Sequence, residues 1–172
     1  MEFTELIGAR HSVRIFQNQP VDHGKLRALL ASATQAPSAG GRQAYRIHVV
    51  RDEVTRRALA AAAQGQEFVA SAPVVLVFCA DLAVSDGTTK GSEQRYSIQD
   101  AIIAMTYAQL AATDLGLATC WVGGIDEAAI LRSLKLPAAQ RPIGILPLGY
   151  ADEDPQPAPR RPLAELVVGL DD

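Results

Sequence analysis

The chain has 172 residues, of which 48% are hydrophobic and 20% charged, and its formal net charge is -3. This length and composition predict one globular domain, residues 1–172, with a single hydrophobic core. The slight acidic excess argues against a nucleic-acid partner, because binding to phosphate backbones needs an excess of positive charge. No apolar stretch reaches the roughly 18 to 20 residues of a membrane span, and the first residues lack a secretory signal pattern. We therefore expect a cytoplasmic protein without membrane contact.

The first third of the chain predicts two helices, a loop and a strand. Apolar spacing after Thr4 indicates a short opening helix. Asp22 can cap a second helix that ends before Pro37. Its apolar residues repeat at helical spacing at Leu26, Leu29, Leu30 and Ala33. The glycine-containing residues 37–43 are predicted to form a loop, and residues 45–51 a strand.

The middle of the chain contains the strongest helix signal. Residues 52–64 are alanine-rich and predicted to be helical, and the apolar run at 73–80 has the length and composition of an interior strand. A long helix is predicted from about Ser97 to Leu115, with apolar residues around much of its circumference. Such a helix should be buried nearly all round, either at the centre of the domain or against a partner subunit.

The last third predicts a short strand or turn at 118–124, a helix from Asp126 to about Leu134, and an apolar strand at 142–150. The order of all these elements predicts an α+β fold. We expect a mixed central sheet with helices on both faces.

Residues 151–172 differ in character from the rest. Their prolines forbid a regular helix or a central strand over 155–162. The apolar residues that follow are too few for a core of their own: Leu163, Leu166, Val167, Val168 and Leu170. We expect an extended tail that packs on another subunit of a homodimer.

Several common site motifs are absent from the sequence. It has neither G-x-G-x-x-G after a strand nor G-x-x-x-x-G-K-[ST], so two usual forms of nucleotide-phosphate binding lack support. His11, His23 and His48 share no metal-ligand spacing, and no serine lies in a G-x-S-x-G turn. Cys79 and Cys120 are far apart, and we expect both to be buried free thiols.

A cationic segment, R-H-S-V-R-I-F at 10–16, follows the opening helix. In an extended conformation Arg10, Ser12 and Arg14 point the same way, because side chains alternate along a strand. Two guanidinium groups and a hydroxyl suit a phosphate monoester. The alternative is a set of solvated arginines at a helix end.

Three further segments offer polar groups without being specific alone. In P-S-A-G-G-R-Q at 37–43, glycines allow close backbone approach, and Gln43 can both donate and accept. Gly123 and Gly124 end an apolar run and expose backbone amides. The pair Arg160 and Arg161 lies between prolines. An ordinary loop or surface explains each of them nearly as well.

Taken together and in order, these segments resemble the nitroreductase family of flavin enzymes, which bind FMN between two subunits of a homodimer. The resemblance spans nearly the whole chain. It rests on R-H-S-x-R-x-F at 10–16, A-P-S-A-G-G-x-Q at 36–43, D-A-x-x-A at 100–104, L-G-L-A-T-C-W-V-G-G at 115–124, P-L-G-Y at 147–150 and R-R-P-L at 160–163.

The resemblance implies roles for individual residues. Arg10 and Ser12 match positions that hold the FMN phosphate and ribityl chain, and Arg160 matches a late arginine that closes over the same phosphate. Arg14 matches a basic position near the pyrimidine edge of the flavin, where it would stabilise the charge of the reduced ring. The loop at 37–43 matches one that lies against the isoalloxazine from the other subunit. The full set of expected cofactor-binding residues is Arg10, His11, Ser12, Arg14, Pro37, Ser38, Ala39, Gly41, Gln43, Val122, Gly123, Gly124 and Arg160.

The sequence also departs from the family pattern. Gly41 stands where an asparagine that bonds the cofactor is usual, and Ala44 stands where a proline is common. Gly123 stands where some larger members carry a glutamate. The segment between Asp81 and Tyr96, which would border the substrate side, is short. The identity of the electron acceptor therefore stays open.

Three functions remain in competition. The first is an FMN-dependent oxidoreductase in which NADH or NADPH gives a hydride to flavin N5 and a small acceptor, such as a nitroaromatic or a quinone, takes the electrons. No side chain need act as a nucleophile, and no metal is expected. The second is a non-catalytic protein of the same fold that binds or senses a flavin nucleotide. The third is a flavin-free structural dimer whose basic residues are solvated surface.

Overall fold

The computed structural model describes residues 1–84 and 93–169. Its sheet has four strands in the order β1-β2-β4-β3. They are β1 Tyr45–Val50, β2 Val74–Asp81, β3 Ala118–Thr119 and β4 Gln140–Gly149. The helices are α1 Phe3–Ala9, α2 His23–Ala33, α3 Glu53–Ala62, α4 Phe68–Ser71, α5 Glu93–Asp114, α6 Glu127–Leu134 and α7 Leu163–Leu166.

The predicted α+β class is confirmed, but the sheet is not mixed. All three strand pairs are antiparallel. The parallel pairing within the described residues is an isolated bridge between Ser12 and Thr119. Strand direction depends on which segments meet in three dimensions, and the local sequence patterns carry no signal for that choice.

Three predicted helix starts are confirmed by their capping contacts. The carboxylates of Asp22, Asp52 and Asp126 accept hydrogen bonds from the backbone N–H three residues later, at 2.8–3.0 Å. Each contact satisfies a backbone donor that the first helical turn leaves without an intrahelical partner. The helices therefore begin where short-range chemistry in the sequence places them.

The sheet lies between two layers of helices. On β2, Leu76 and Phe78 pack in a core with α2 and α5, whereas Val75 and Val77 pack in a second core with α3 and α6. Every residue of β2 is buried. The continuous apolar run is explained by this burial on both faces, because neither face of the strand meets water.

Helix α5 differs from its prediction in two ways. It begins at Glu93, four residues before the predicted start, because polar residues extend it beyond the apolar pattern. It is also not buried nearly all round within one chain. Ala101, Ala104, Met105, Ala108 and Ala112 are covered, but Ile102 and Tyr107 are exposed on the other side.

The tail after β4 is exposed along most of its length. The one-turn helix α7 interrupts the predicted extended chain. Leu163 and Leu166 are 62% and 58% exposed, and Val168 is fully exposed. Leu170, the last member of the predicted apolar cluster, lies outside the described residues. Within the described part of the chain, no helix is long and apolar enough to cross a membrane.

Candidate functional site

The cationic segment is extended, which is the first of the two alternatives that its sequence left open. Ser12 forms a bridge with Thr119, and the N–H of Val13 donates to the Thr119 carbonyl at 2.9 Å. Val13 is buried, whereas Ser12 and Arg14 are exposed. The alternation turns the apolar side chain into the protein and leaves the polar ones facing outward.

Cys120 follows Thr119, the residue with which the cationic segment pairs. Burial raises the pKa of Cys120, whereas the nearby charge of Arg14, a hydrogen bond from Ser12 and the charge of Arg10 all act to lower it. Arg14, Ser12 and Arg10 therefore all contribute to the electrostatic environment of the Cys120 thiol. Cys79 lies deeper in the core, where burial raises its pKa to about 12. Both cysteines are buried and free, as predicted.

Arg14 makes two contacts that the sequence did not predict. Its backbone N–H donates a short hydrogen bond to the carboxylate of Glu153, which also accepts from the N–H of Ile15 at 3.0 Å. Its guanidinium lies over the ring of Phe68, 5.8 Å from the centroid, in a cation–π contact. Phe68 and Glu153 are distant from Arg14 in sequence, so no local pattern links them to it.

His11 lines a small cavity behind the cationic segment. The cavity has a volume of about 170 Å³, and its walls include Val13, Thr113 and Pro155. It connects the segment with the end of α5 and the start of the tail.

The loop at 37–43 is held in shape by its own hydrogen bonds. The Ser38 hydroxyl accepts from the N–H of Gln43 at 3.0 Å, and the Gly41 N–H donates to the Ser38 carbonyl. The Gln43 amide donates to the Thr34 carbonyl at 2.7 Å and approaches the Tyr45 hydroxyl. Its donor groups are therefore engaged within the chain, and its carbonyl oxygen is left as the acceptor.

Gly41 has φ of +68°, in the left-handed region. Glycine and asparagine tolerate this conformation better than other residues. Glycine at position 41, in place of the asparagine that the resemblance leads us to expect, can therefore adopt the same backbone conformation. It lacks the polar side chain. Pro37 and Gly41 are exposed, and Ser38 and Ala39 are partly buried.

Asp100 ties this loop to α5. Its carboxylate accepts from the N–H of Ala39 at 2.9 Å and from the N–H of Ala44 at 3.2 Å. The side chain is 2% exposed. It also affects Tyr45, whose pKa is raised first by burial and further by the Asp100 charge. In the sequence, the sign that Asp100 anchors the loop is its position as an acidic residue on a largely apolar face of a helix.

The glycines after β3 are exposed, but the residue before them is not. Both backbone groups of Val122 pair with Ile145 at 2.9 Å, and its side chain is buried in the core. Val122 thus anchors the turn and keeps no backbone donor free. Gly124 lies against Gln64, since an added Cβ would come within 3.0 Å of the Gln64 amide.

Arg160 lies on the exposed tail, apart from the cationic segment. Its guanidinium donates a hydrogen bond to the Ala158 carbonyl at 3.4 Å. Arg161 pairs instead with Glu165 at 3.0 Å. Among the described contacts of a single chain, Arg160 does not join Arg10 and Ser12.

The cationic segment and the loop lie near different ends of α5. Asp100 holds the loop, and Thr113 lines the cavity beside His11. At 1.5 Å per residue, these two positions on the helix are separated by roughly 20 Å along its axis. Within one chain, the two groups of predicted site residues are therefore not brought together.

Comparison with known proteins gives consistent matches. The model of the Nitroreductase family matches residues 7–67 and 61–150. A Thermus thermophilus protein named NADH dehydrogenase is 34% identical, over 92% of this chain and 91% of its own. An oxygen-insensitive NADPH nitroreductase of Salmonella typhimurium is 33% identical, over 95% of this chain and 71% of its own. The solved structure of an FMN-dependent nitroreductase from Clostridium difficile matches with a TM-score of 0.84 at 28% identity, covering 99% of both chains.

We predict that Asp100→Ala loosens the loop. The change leaves the N–H groups of Ala39 and Ala44 without their acceptor, so their hydrogen exchange should accelerate. The free energy of unfolding should fall by roughly 3 kcal/mol or more, since two hydrogen bonds to a charged group are lost and each contributes about 1.5 to 3 kcal/mol. Asp114→Asn, at an exposed position of the same helix, serves as the control. Unchanged exchange at both amides in Asp100→Ala would contradict this role.

Proposed function

The chain belongs to the nitroreductase family, and on this premise we propose that it is an FMN-dependent NAD(P)H oxidoreductase acting as a homodimer. Its electron acceptor is a small organic molecule such as a nitroaromatic or a quinone. The observation that carries the proposal is the extended cationic segment paired with Thr119, in which Val13 is buried and Ser12 and Arg14 are exposed.

Arg10 and Ser12 of this segment fit the phosphate end of FMN. A phosphate monoester is a dianion, and guanidinium groups bind such oxygens through paired, charge-assisted hydrogen bonds. Arg10 and Ser12 are assigned to the phosphate and ribityl chain. Arg160 is assigned to the same phosphate, reached from the tail. His11 completes the wall of this part of the site.

Arg14 is assigned to the pyrimidine edge of the flavin. Bound FMN would supply the redox chemistry, taking a hydride at N5 from NADH or NADPH and passing electrons to the acceptor. A fixed guanidinium at this edge stabilises the negative charge of the reduced ring, which is an electrostatic tuning role. No nucleophilic side chain is required.

The loop supplies the opposite wall. Pro37, Ser38, Ala39 and Gly41 offer exposed or partly exposed backbone and small side chains that a planar ring can approach closely. Gln43 contributes its carbonyl oxygen, because its donors already bind Thr34 and Tyr45. This oxygen suits an N–H group of the cofactor. Gly123 and Gly124, which follow the anchored Val122, would offer their backbone amides to the cofactor.

A shared site explains why the two walls lie apart within one chain. The cationic segment and the loop are near different ends of α5, so one subunit would provide the first and its partner the second. Exposed apolar residues support pairing with a second copy: Phe3, Ile7, Ile102 and Tyr107 on α1 and α5, and Leu163, Leu166 and Val168 on the tail. Burial of this surface would favour a dimer by the hydrophobic effect. Residues 1–172 would then form one FMN-binding domain. The tail predicted at 151–172 begins on its own chain, where Ala151 pairs with Phe16 and Glu153 binds the N–H of Ile15, so the part packed on the partner subunit would begin at about residue 156.

Anaerobic mixing with NADH and with NADPH tests the function. The purified protein should be yellow, and one or both nucleotides should bleach the flavin within seconds, as expected for turnover at about 1 per second or faster. Addition of a nitroaromatic or a quinone should restore the colour. Flavin that resists both nucleotides would favour the non-catalytic binder, and a colourless protein that ignores added FMN would favour the structural dimer.

The double variant Arg10→Ala with Arg160→Ala tests the phosphate assignment. Two lost charge-assisted contacts at about 1.5 to 3 kcal/mol each should weaken FMN binding by a factor of at least 100. The measurement is the FMN dissociation constant, followed by flavin fluorescence. Arg161→Ala is the matched control, because Arg161 pairs with Glu165 in the same chain. Full FMN affinity in the double variant would refute the assignment.

Removal of residues 156–172 tests the role of the tail. This truncation keeps the bridge between Phe16 and Ala151 and the contacts of Glu153. We expect a protein that dimerises more weakly in sedimentation experiments and fails to retain FMN. A truncated dimer that binds FMN with wild-type affinity would show that the tail does not pack on the partner.

A further inference from the structure

Glu153 fixes the backbone of the cationic segment from the far end of the chain. One oxygen of its carboxylate accepts from the adjacent N–H groups of Arg14 and Ile15. Two neighbouring donors that converge on one oxygen restrict the backbone dihedral angles between them. Hydrogen bonds to a charged acceptor are also stronger than neutral ones.

The second hold on Arg14 is at its side chain. The guanidinium lies over the face of Phe68 on α4, whose partly buried ring packs against the core. The aromatic face attracts a cation without neutralising it. Glu153 and Phe68 therefore hold different parts of the same residue, one the backbone and the other the guanidinium.

Glu153 also brings a negative charge to a cationic cluster. Its carboxylate contacts the backbone N–H of Arg14. The charge of Glu153 acts to raise the pKa of Cys120, whereas the charges of Arg14 and Arg10 act to lower it. The net positive field of the segment is thus smaller than its two arginines alone would produce.

We propose that Glu153 is a positioning residue that holds Arg14 for the flavin, and that its charge limits how strongly the cationic segment favours the reduced flavin. The proposal rests on the proposed function, because it takes Arg14 to lie at the pyrimidine edge. It assigns to the start of the tail a role in setting the reduction potential of the cofactor.

Two variants of Glu153 separate geometry from charge. Glu153→Gln keeps an oxygen that accepts from both N–H groups but removes the charge. It should shift the midpoint potential of bound flavin to a more positive value and leave FMN affinity equal to wild type or higher. Glu153→Ala removes the acceptor. It should weaken FMN binding roughly tenfold or more and accelerate hydrogen exchange at Arg14 and Ile15 in the flavin-free protein.

The control is Asp154→Asn, which removes one charge from the next, exposed position. Its potential should stay closer to wild type than that of Glu153→Gln. Equal potentials for Glu153→Gln and wild type would refute the charge role, and unchanged exchange in Glu153→Ala would refute the positioning role. Both results leave the proposed function intact if the wild type is reduced by NAD(P)H. A wild-type protein that takes up no FMN would refute the proposed function and this inference together.

Discussion

The close packing of α5 on the sheet is the contact on which the rest of the structure depends. Alanines at 101, 104, 108 and 112 keep the buried side of the helix small, so its backbone can approach the strands. The approach is close at Gly144, where an added Cβ would lie 3.1 Å from the Met105 side chain. One side of α5 is therefore packed in the core, and the other leaves Ile102 and Tyr107 exposed.

This helix also separates the two groups of predicted site residues within one chain. Asp100 uses its buried carboxylate to fix the loop near one end, and the segment from Arg10 to Phe16 is bridged to Thr119 just beyond the other. Different contacts hold the two groups of residues in place. The loop is held by the Asp100 carboxylate, which accepts from two backbone N–H groups. The cationic segment is held by its strand-like pairing with Thr119 and by Glu153. Preorganised walls of this kind suit a cofactor that carries the chemistry itself, since the protein then supplies binding, orientation and charge.

The sequence predicted well those features that short-range chemistry decides. The helix starts at Asp22, Asp52 and Asp126 and the fully buried β2 follow from residues close together in the chain. The family resemblance, carried by ordered motifs, is confirmed by the family match. Features that depend on distant partners were missed. The antiparallel sheet, the contact between Arg14 and Glu153 across 139 positions, and the hold of Phe68 on Arg14 leave no local trace. The roles of individual site residues and the cytoplasmic location stay predictions.

A mixed dimer tests the central claim, that each FMN site takes its cationic segment from one subunit and its loop from the other. Arg10→Ala disables the first wall and Asp100→Ala the second, and each variant alone should bind FMN weakly. If the two are unfolded together and refolded as a random mixture, half of the dimers contain one of each, and one of their two sites has both walls intact. The account predicts recovery of about a quarter of the wild-type number of tight FMN sites. If the mixture binds no better than the separate variants, the site lies within one subunit and the account is wrong.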